Sequence, residues 1–422
     1  MNRIIIFFVL LFLLTSCGQK DKSLQNNNSK ILFKEIKPIQ QELNPNIKIK
    51  LSKFVKDNSF IKNKTNNNGN INFSPLFEKK KSYKFSKIKQ FNSVDTDLLF
   101  TKKNNLIYFD NKGTIFKINE NFKTLWKVNY YTKKERKLNP ILYLNYTNKS
   151  LLIADTLSNI HSINLDNGKL IWRKESVSPF NSNVAVNKDK FITVDFDNVI
   201  RCFSIIDGNE LWNFQTENTF IKSQKKLSVL IDNDIVYSMN NLGDLTALNI
   251  NDGSLVWQTP TQSNEIILSA FSLVNSEMVL DNKSIYFSNN KNDFFSIDKK
   301  TGIIKWKQTI NSGLKSTISE NYIFIISEEG YLFIIDRDNG NIIRATDVFS
   351  KFKKRDKITP IGFIVAKNRA YVSTNNGRIV KVNLLNSEIE EIIKLNNEKI
   401  SRPFINNGNI FLIKNNAIIK SN

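Results

Sequence analysis

Past residue 81 the chain alternates apolar and polar positions in short runs, and Gly, Asn and Asp punctuate them. Stretches such as 106–109, 114–119 and 124–128 follow one another with period two, which predicts successive short strands rather than helices. The punctuation is regular. Four turns read Asp166-Asn167-Gly168, Asp207-Gly208, Asp252-Gly253 and Thr301-Gly302, and each precedes a tryptophan by four residues. Such Gly-bearing turns between alternating runs are hairpin signals, because a tight turn needs a residue that accepts positive φ. All five tryptophans fall in this slot, at Trp126, Trp172, Trp212, Trp257 and Trp306, with spacings of 46, 40, 45 and 49 residues. The same frame continues without tryptophan at 340–344 and 387–391, and a second turn precedes the slot at Gly113, Gly243, Gly330 and Gly377.

A period of 40–50 residues holding four strands describes a β-propeller, whose blades bury their faces against one another. Seven slots run from Trp126 to Glu391, and Ile410–Ile413, Asn416 and Ala417–Lys420 repeat the strand-turn-strand frame of an eighth blade whose outer strand does not follow before Asn422. The missing outer strand is expected near Lys84-Phe85, one period before Trp126, with Phe85 in the slot. The reading is therefore an all-β, eight-bladed propeller of four-stranded blades over 82–422, closed by an N-terminal outer strand in the last blade.

The beginning of the chain has a different pattern. After Met1-Asn2-Arg3 come eleven unbroken apolar residues, then Leu14-Thr15-Ser16-Cys17. This is too short to span a bilayer and has the build of a secretory signal over 1–16. The tetrapeptide resembles the bacterial lipobox, which implies diacylglycerol on Cys17 and a lipid anchor. Gly18 stands where an Asp would imply retention in the inner membrane, so the resemblance implies the periplasmic face of the outer membrane. From 17 to 81 the chain is rich in Asn and Lys, with runs such as Asn66-Asn67-Asn68. Such a composition buries little apolar surface, so the segment reads as a flexible tether of roughly 45 Å mean span.

Composition narrows the chemistry. With one histidine, His161, and two cysteines, Cys17 and Cys202, the chain lacks the four or so ligands of a Cys/His metal site. Cys202 and His161 each sit in alternating strand sequence, which suits structural roles. The expectation is no metal, no cofactor and no catalytic residue. The net charge of +22 rests on Lys in a chain also rich in Asn and Ile; A/T-rich codons explain all three, although a basic surface still attracts anionic headgroups and acidic partners. Nucleic acid is not an expected partner, since an exported lipoprotein does not meet it.

The repeated turn-and-tryptophan frame resembles the quinoprotein-like (PQQ-like) propellers. Together with the lipobox and tether it resembles the BamB-type lipoproteins of outer-membrane β-barrel assembly. That resemblance implies a non-catalytic scaffold that contacts a BamA-like assembly subunit and unfolded outer-membrane clients. It attributes contact to loops after the third and fourth tryptophan strands, which here carry Phe220, Ile221 and Lys222, then Glu265 and Ile266. Lys222 stands where the family has Arg, exchanging a bidentate fork for a point charge. Two other function classes remain open. A quinone-dependent dehydrogenase would need calcium and an acidic base, and a carbohydrate or peptidoglycan binder would need aromatics exposed on one face.

Overall fold

In a computed structural model, residues 47–56, 64–89, 91, 97–217, 225–261 and 273–422 are described. They form eight sheets, each built on four antiparallel strands joined by three pairings, the eight blades of a β-propeller. Blade 1 runs from Leu99–Phe100 to Thr124–Val128, and blades 2 to 7 end on the strands Leu170–Glu175, Glu210–Gln215, Leu255–Thr259, Ile304–Gln308, Ile342–Asp347 and Ile389–Lys394. Blade 8 takes three strands from the C-terminal end and its outer one from Lys80–Lys84, which pairs antiparallel with Ala417–Ser421, Ser82 opposite Ile419. The expected closure is therefore present. Its aromatic contact, however, is shared: Tyr83 lays its ring 5.2 Å from Phe116 of blade 1 and meets the Thr124 hydroxyl at 3.0 Å, while Phe85, just past the strand, packs 5.3 Å from Tyr108.

The tryptophan slot works across blades. Each indole N–H donates to a main-chain carbonyl in the following blade: Trp126 to Leu165, Trp172 to Ile205, Trp212 to Ile250, Trp257 to Lys299 and Trp306 to Arg337, at 2.9–3.3 Å. The ring lies against the glycine of that next turn, so a Cβ on Gly208 would come within 2.7 Å of Trp172. Glycine serves twice here, accepting φ of +71° and leaving room for the ring. In blade 6 the slot holds Arg344, and its guanidinium donates to Leu385 of blade 7 at 2.9 Å, the same bond made by a different side chain. Ser387, at φ +64°, then stands where earlier blades have glycine.

The flexible tether expected over 17–81 gives way, over 47–56 and 64–79, to chain that lies on the propeller. Ile49 and Leu51 are buried in the core shared by blades 6 and 7. Asn70–Ile71 adds a parallel fifth strand to blade 7 through Val365 and Ala366. Upstream, the Leu280 N–H of blade 5 donates to Thr65, and Asn67 both accepts from the Ile318 N–H and donates to its carbonyl, at 2.9 and 3.0 Å. The physical reason is that an asparagine amide mimics a peptide group. It can satisfy the open edge of an innermost strand, which would otherwise expose unpaired backbone groups.

Candidate functional site

The five expected contact residues, Phe220, Ile221, Lys222, Glu265 and Ile266, lie outside the described residues, as does Cys17. The flanks of both loops are described, and they leave from neighbouring turns. Asn198 of blade 3 donates to the Glu217 carbonyl at 3.1 Å, which fixes the end of the first flank. Its side-chain oxygen accepts the Asn241 N–H of the adjoining blade 4 turn. Two residues on, Gly243 accepts the Thr261 hydroxyl at 2.7 Å, where the second loop begins. The returning ends lead to Lys226 and Glu277, both on the propeller axis.

There the chain builds a site that sequence reading missed. Asp97, Lys226, Glu277, Lys315 and Arg402 come from blades 1, 4, 5, 6 and 8, each at the entry to an innermost strand. Their signs alternate across the axis. Arg402 Nε donates to Asp97 at 3.1 Å, Lys226 reaches Asp97 at 2.8 Å and Glu277 at 2.6 Å, and Lys315 stands 4.0 Å from Glu277. Asn66 of the docked N-terminal segment completes the ring, donating to Glu277 and accepting from Lys315. Gly362 of blade 7 lacks a side chain where one is impossible, because its Cβ would lie 2.5 Å from that of Arg402. Burial pushes the Glu277 carboxyl up, but the Lys226 ammonium pulls it further down, to about 2. Burial and then the Arg402 charge lower the Lys315 ammonium to about 7, with Glu277 and Asp97 pulling the other way. This charged waist separates two cavities along the axis, of about 120 and 320 Å3.

The residues that composition flagged for chemistry have structural seats. His161 is buried, and burial followed by the Arg173 charge lowers it to about 3. It lies 3.7 Å from Asp155, whose carboxylate brackets a tight turn by accepting the Leu157 and Asn159 N–H groups. In blade 3 the same two positions are Asp195 and Arg201, an ion pair at 2.7 Å, so the imidazole fills a repeat seat. Cys202 is buried on an inner face and its thiol is pushed up to about 12, chiefly by burial, which leaves it unreactive. A calcium-bound quinone does not fit the axis. A hard cation wants a free set of carboxylate oxygens, and the two carboxylates at the waist are held between three cationic side chains.

Comparison with known proteins places this architecture. The chain is similar to the BamB of Moraxella catarrhalis in its crystal structure, with a TM-score of 0.64 and 14% identity over 83% of this chain and 100% of that one. It resembles equally the quinohemoprotein alcohol dehydrogenase of Comamonas testosteroni, TM-score 0.64 and 8% identity over 83% and 78% of the two chains. These likenesses speak to the fold. By sequence it is 25% identical over 264 residues to an uncharacterized protein of Rickettsia conorii, covering 54% of this chain and 59% of that protein. It is 20% identical over 262 residues to the outer membrane protein assembly factor BamB of Nitrosomonas eutropha, covering 59% and 58%. The chain thus spans about three fifths of the length of the curated relatives it matches. The family model for this kind of propeller matches residues 111–346, from the second hairpin turn of blade 1 to the outer strand of blade 6, and with more than half its length so matched the chain belongs to the family described as outer membrane protein assembly factor BamB.

Proposed function

We propose that this protein is a non-catalytic scaffold of the machinery that folds and inserts outer-membrane β-barrel proteins. It would be anchored at the periplasmic face of the outer membrane through lipidated Cys17 and would work by protein contacts with a BamA-like subunit. The observation that carries the reading is the family match over 111–346. The geometry supports it at one point. The loops that hold the five candidate residues spring from adjoining turns of blades 3 and 4, tied by the Asn198–Asn241 bond, so one partner surface can meet both. Binding energy at such a surface concentrates in a few large anchors, each losing about 2 kcal/mol or more on truncation.

The test is capture of the barrel-assembly subunit from solubilised outer membranes by the full chain. Ile221→Asp combined with Lys222→Glu should abolish capture while circular dichroism and thermal unfolding stay at wild-type values. A folded double variant that still captures the subunit at full yield would remove these residues from the interface. A wild type that never captures it would remove the assembly role itself.

A further inference from the structure

In every blade the chain leaves the outer strand and enters the next innermost strand on one face of the ring, so the links 129–141, 176–184 and 348–359 share a face. The first of these is a built knob. Thr132 and Glu135 close a capping box around the helix Lys133–Lys137, none of whose residues is buried. Its single acid is turned inward: Glu135 takes the Arg173 guanidinium, which also donates to the Tyr130 carbonyl at 2.8 Å and lies over the Tyr131 ring. The Tyr131 hydroxyl in turn donates to Asp155 at 2.6 Å. Lys133, Lys134, Arg136 and Lys137 are left exposed on this fixed base, followed by Leu138 at 65% exposure, and on the adjoining link Val177 is 88% exposed. The link from blade 6 to blade 7 repeats the device. Arg355 donates to Asp347 at 2.8 Å and to the Glu329 carbonyl at 3.0 Å, and Lys353, Lys354 and Lys357 stand exposed on a link whose one acid is Asp356. Among the described residues, the exposed acids on this face, Glu175, Glu329 and Asp356 among them, are outnumbered by these cations. The turns of the opposite face mix their signs, Asp166 with Lys169 and Arg337 with Asp338.

We propose that this face of the propeller docks on a membrane surface of anionic phospholipid, with the helix Lys133–Lys137 and the Leu138 and Val177 side chains at the contact. Charge complementarity selects an anionic occupant, and the apolar tips select a lipid one. Cations beside exposed Leu and Val are the composition of an interfacial segment, whose apolar side chains enter the acyl boundary while its cations meet phosphate. Each cation close to such a surface raises partitioning roughly fivefold, and salt screens the attraction over about 8 Å at physiological ionic strength. Shape agrees. Two convex knobs on separate links suit a plane, whereas an acidic peptide is received along one groove or one sheet edge. The proposal rests on the membrane location proposed above and adds that the propeller itself, and not the lipid anchor alone, meets the bilayer.

The experiment places the purified full chain with vesicles of phosphatidylcholine alone and with vesicles of equimolar phosphatidylcholine and phosphatidylglycerol. Sedimentation reads attachment, and hydrogen exchange followed by mass spectrometry reads the stretch 133–139. Retention on phosphatidylcholine reports the N-terminal anchor; a chain that sediments only with the anionic vesicles would remove the anchor and support the docking face. Slower exchange over 133–139 is expected on the anionic vesicles only, and it should be reversed in about 1 M sodium chloride, where screening is near complete. The fourfold variant Lys133→Gln, Lys134→Gln, Arg136→Gln and Lys137→Gln should lose this protection and, where no anchor holds the chain, partition about tenfold or more weakly, with thermal unfolding unchanged in the absence of lipid. Should that variant misfold, Leu138→Ser with Val177→Ser, both at exposed positions, removes the apolar tips and should reduce the protection severalfold. Lys169→Gln, exposed on the opposite face, should change nothing. Equal exchange on the two kinds of vesicle, or a folded fourfold variant protected like wild type, would overturn the proposal. Protection by soluble polyglutamate with none by anionic vesicles would overturn it too, and would mark an acidic protein as the occupant.

Discussion

Trp212 donates its indole N–H to the Ile250 carbonyl at 2.9 Å, and the same ring lies against Gly253, three residues further along that turn. One side chain thereby ties blade 3 to the main chain of blade 4, and glycine at 253 is a requirement of the contact. A Cβ there would meet Trp212 at 2.7 Å in a backbone already at φ +74°. Gly253→Ala should therefore cost about 2–4 kcal/mol, from the left-handed backbone and the displaced ring together. Trp212→Phe, which keeps a ring but loses the donor, should cost about 1 kcal/mol for the hydrogen bond alone, beyond any packing loss. Urea unfolding of the two variants checks the order, and equal stabilities would show that ring packing across blades is slack.

Closure of the ring gives a second test. The strand Lys80–Lys84 is held to blade 8 by five paired positions and to blade 1 through the Tyr83 ring and hydroxyl. Tyr83→Ala should destabilise the protein by about 2 kcal/mol, at the lower end for removal of a large aromatic because the side chain is only half buried. Tyr83→Phe should cost less than about 1 kcal/mol. Deleting 80–84 should leave the edge of Ala417–Ser421 open and promote association of chains, visible by size-exclusion chromatography. A deletion that stays monomeric with unchanged unfolding would count against a strand from the N-terminal side as the closure.

The repeat was legible in the sequence because its signals are local. A turn of known spelling, then three residues, then tryptophan, survives without any knowledge of neighbours, and even the last blade's missing strand could be placed by period. The docked segment was not legible for the opposite reason. Asn66, Asn67 and Asn70 look like solvated linker until Ile318 and Asn368 are seen opposite them. The charged waist was hidden by distance along the chain, since Asp97 and Arg402 are 305 residues apart. A signal did exist. Asp97, Glu277, Lys315 and Arg402 each stand two residues before an innermost strand, so aligning the repeats on their first strand would have stacked four charges in one column.

The waist makes stability depend on pH with a definite sign. Glu277 in the folded chain titrates at about 2, below its ordinary 4.5, so its contribution is fully present above pH 4.5 and is lost as pH falls towards 2. Asp97 is lowered likewise: burial raises it, but Arg402 and Lys226 outweigh that. Lys315 acts in the other sense. Its folded value of about 7 lies below 10.5, so its ammonium penalises folding below pH 7 and the penalty is relieved as pH rises towards 10.5. Lys226→Met removes the cation shared by Asp97 and Glu277 and should cost about 3 kcal/mol at pH 7. It should also move the acid unfolding transition to higher pH. Urea midpoints from pH 2 to 8 for wild type and variant provide the comparison, and curves that differ by a constant offset at every pH would show that Lys226 does not govern the carboxylates.

The last prediction concerns the anchor, which rests on sequence. If Cys17 is the modified residue, Cys17→Ala should leave the precursor uncleaved, because the processing step acts on a lipid-modified cysteine that alanine cannot supply. The physical consequence is large. Each buried methylene contributes roughly 0.8 kcal/mol, and stable attachment takes more than one chain, so the wild type should stay with membranes through high-salt and carbonate washes. Propeller made without residues 1–17 should appear in the soluble fraction with wild-type thermal unfolding. The expected mass of the mature wild type is that of the chain from residue 17 plus a diacylglycerol and one acyl group. An unmodified mature mass, or a Cys17→Ala protein that is processed and retained on membranes as before, would sink the lipoprotein reading without touching the propeller.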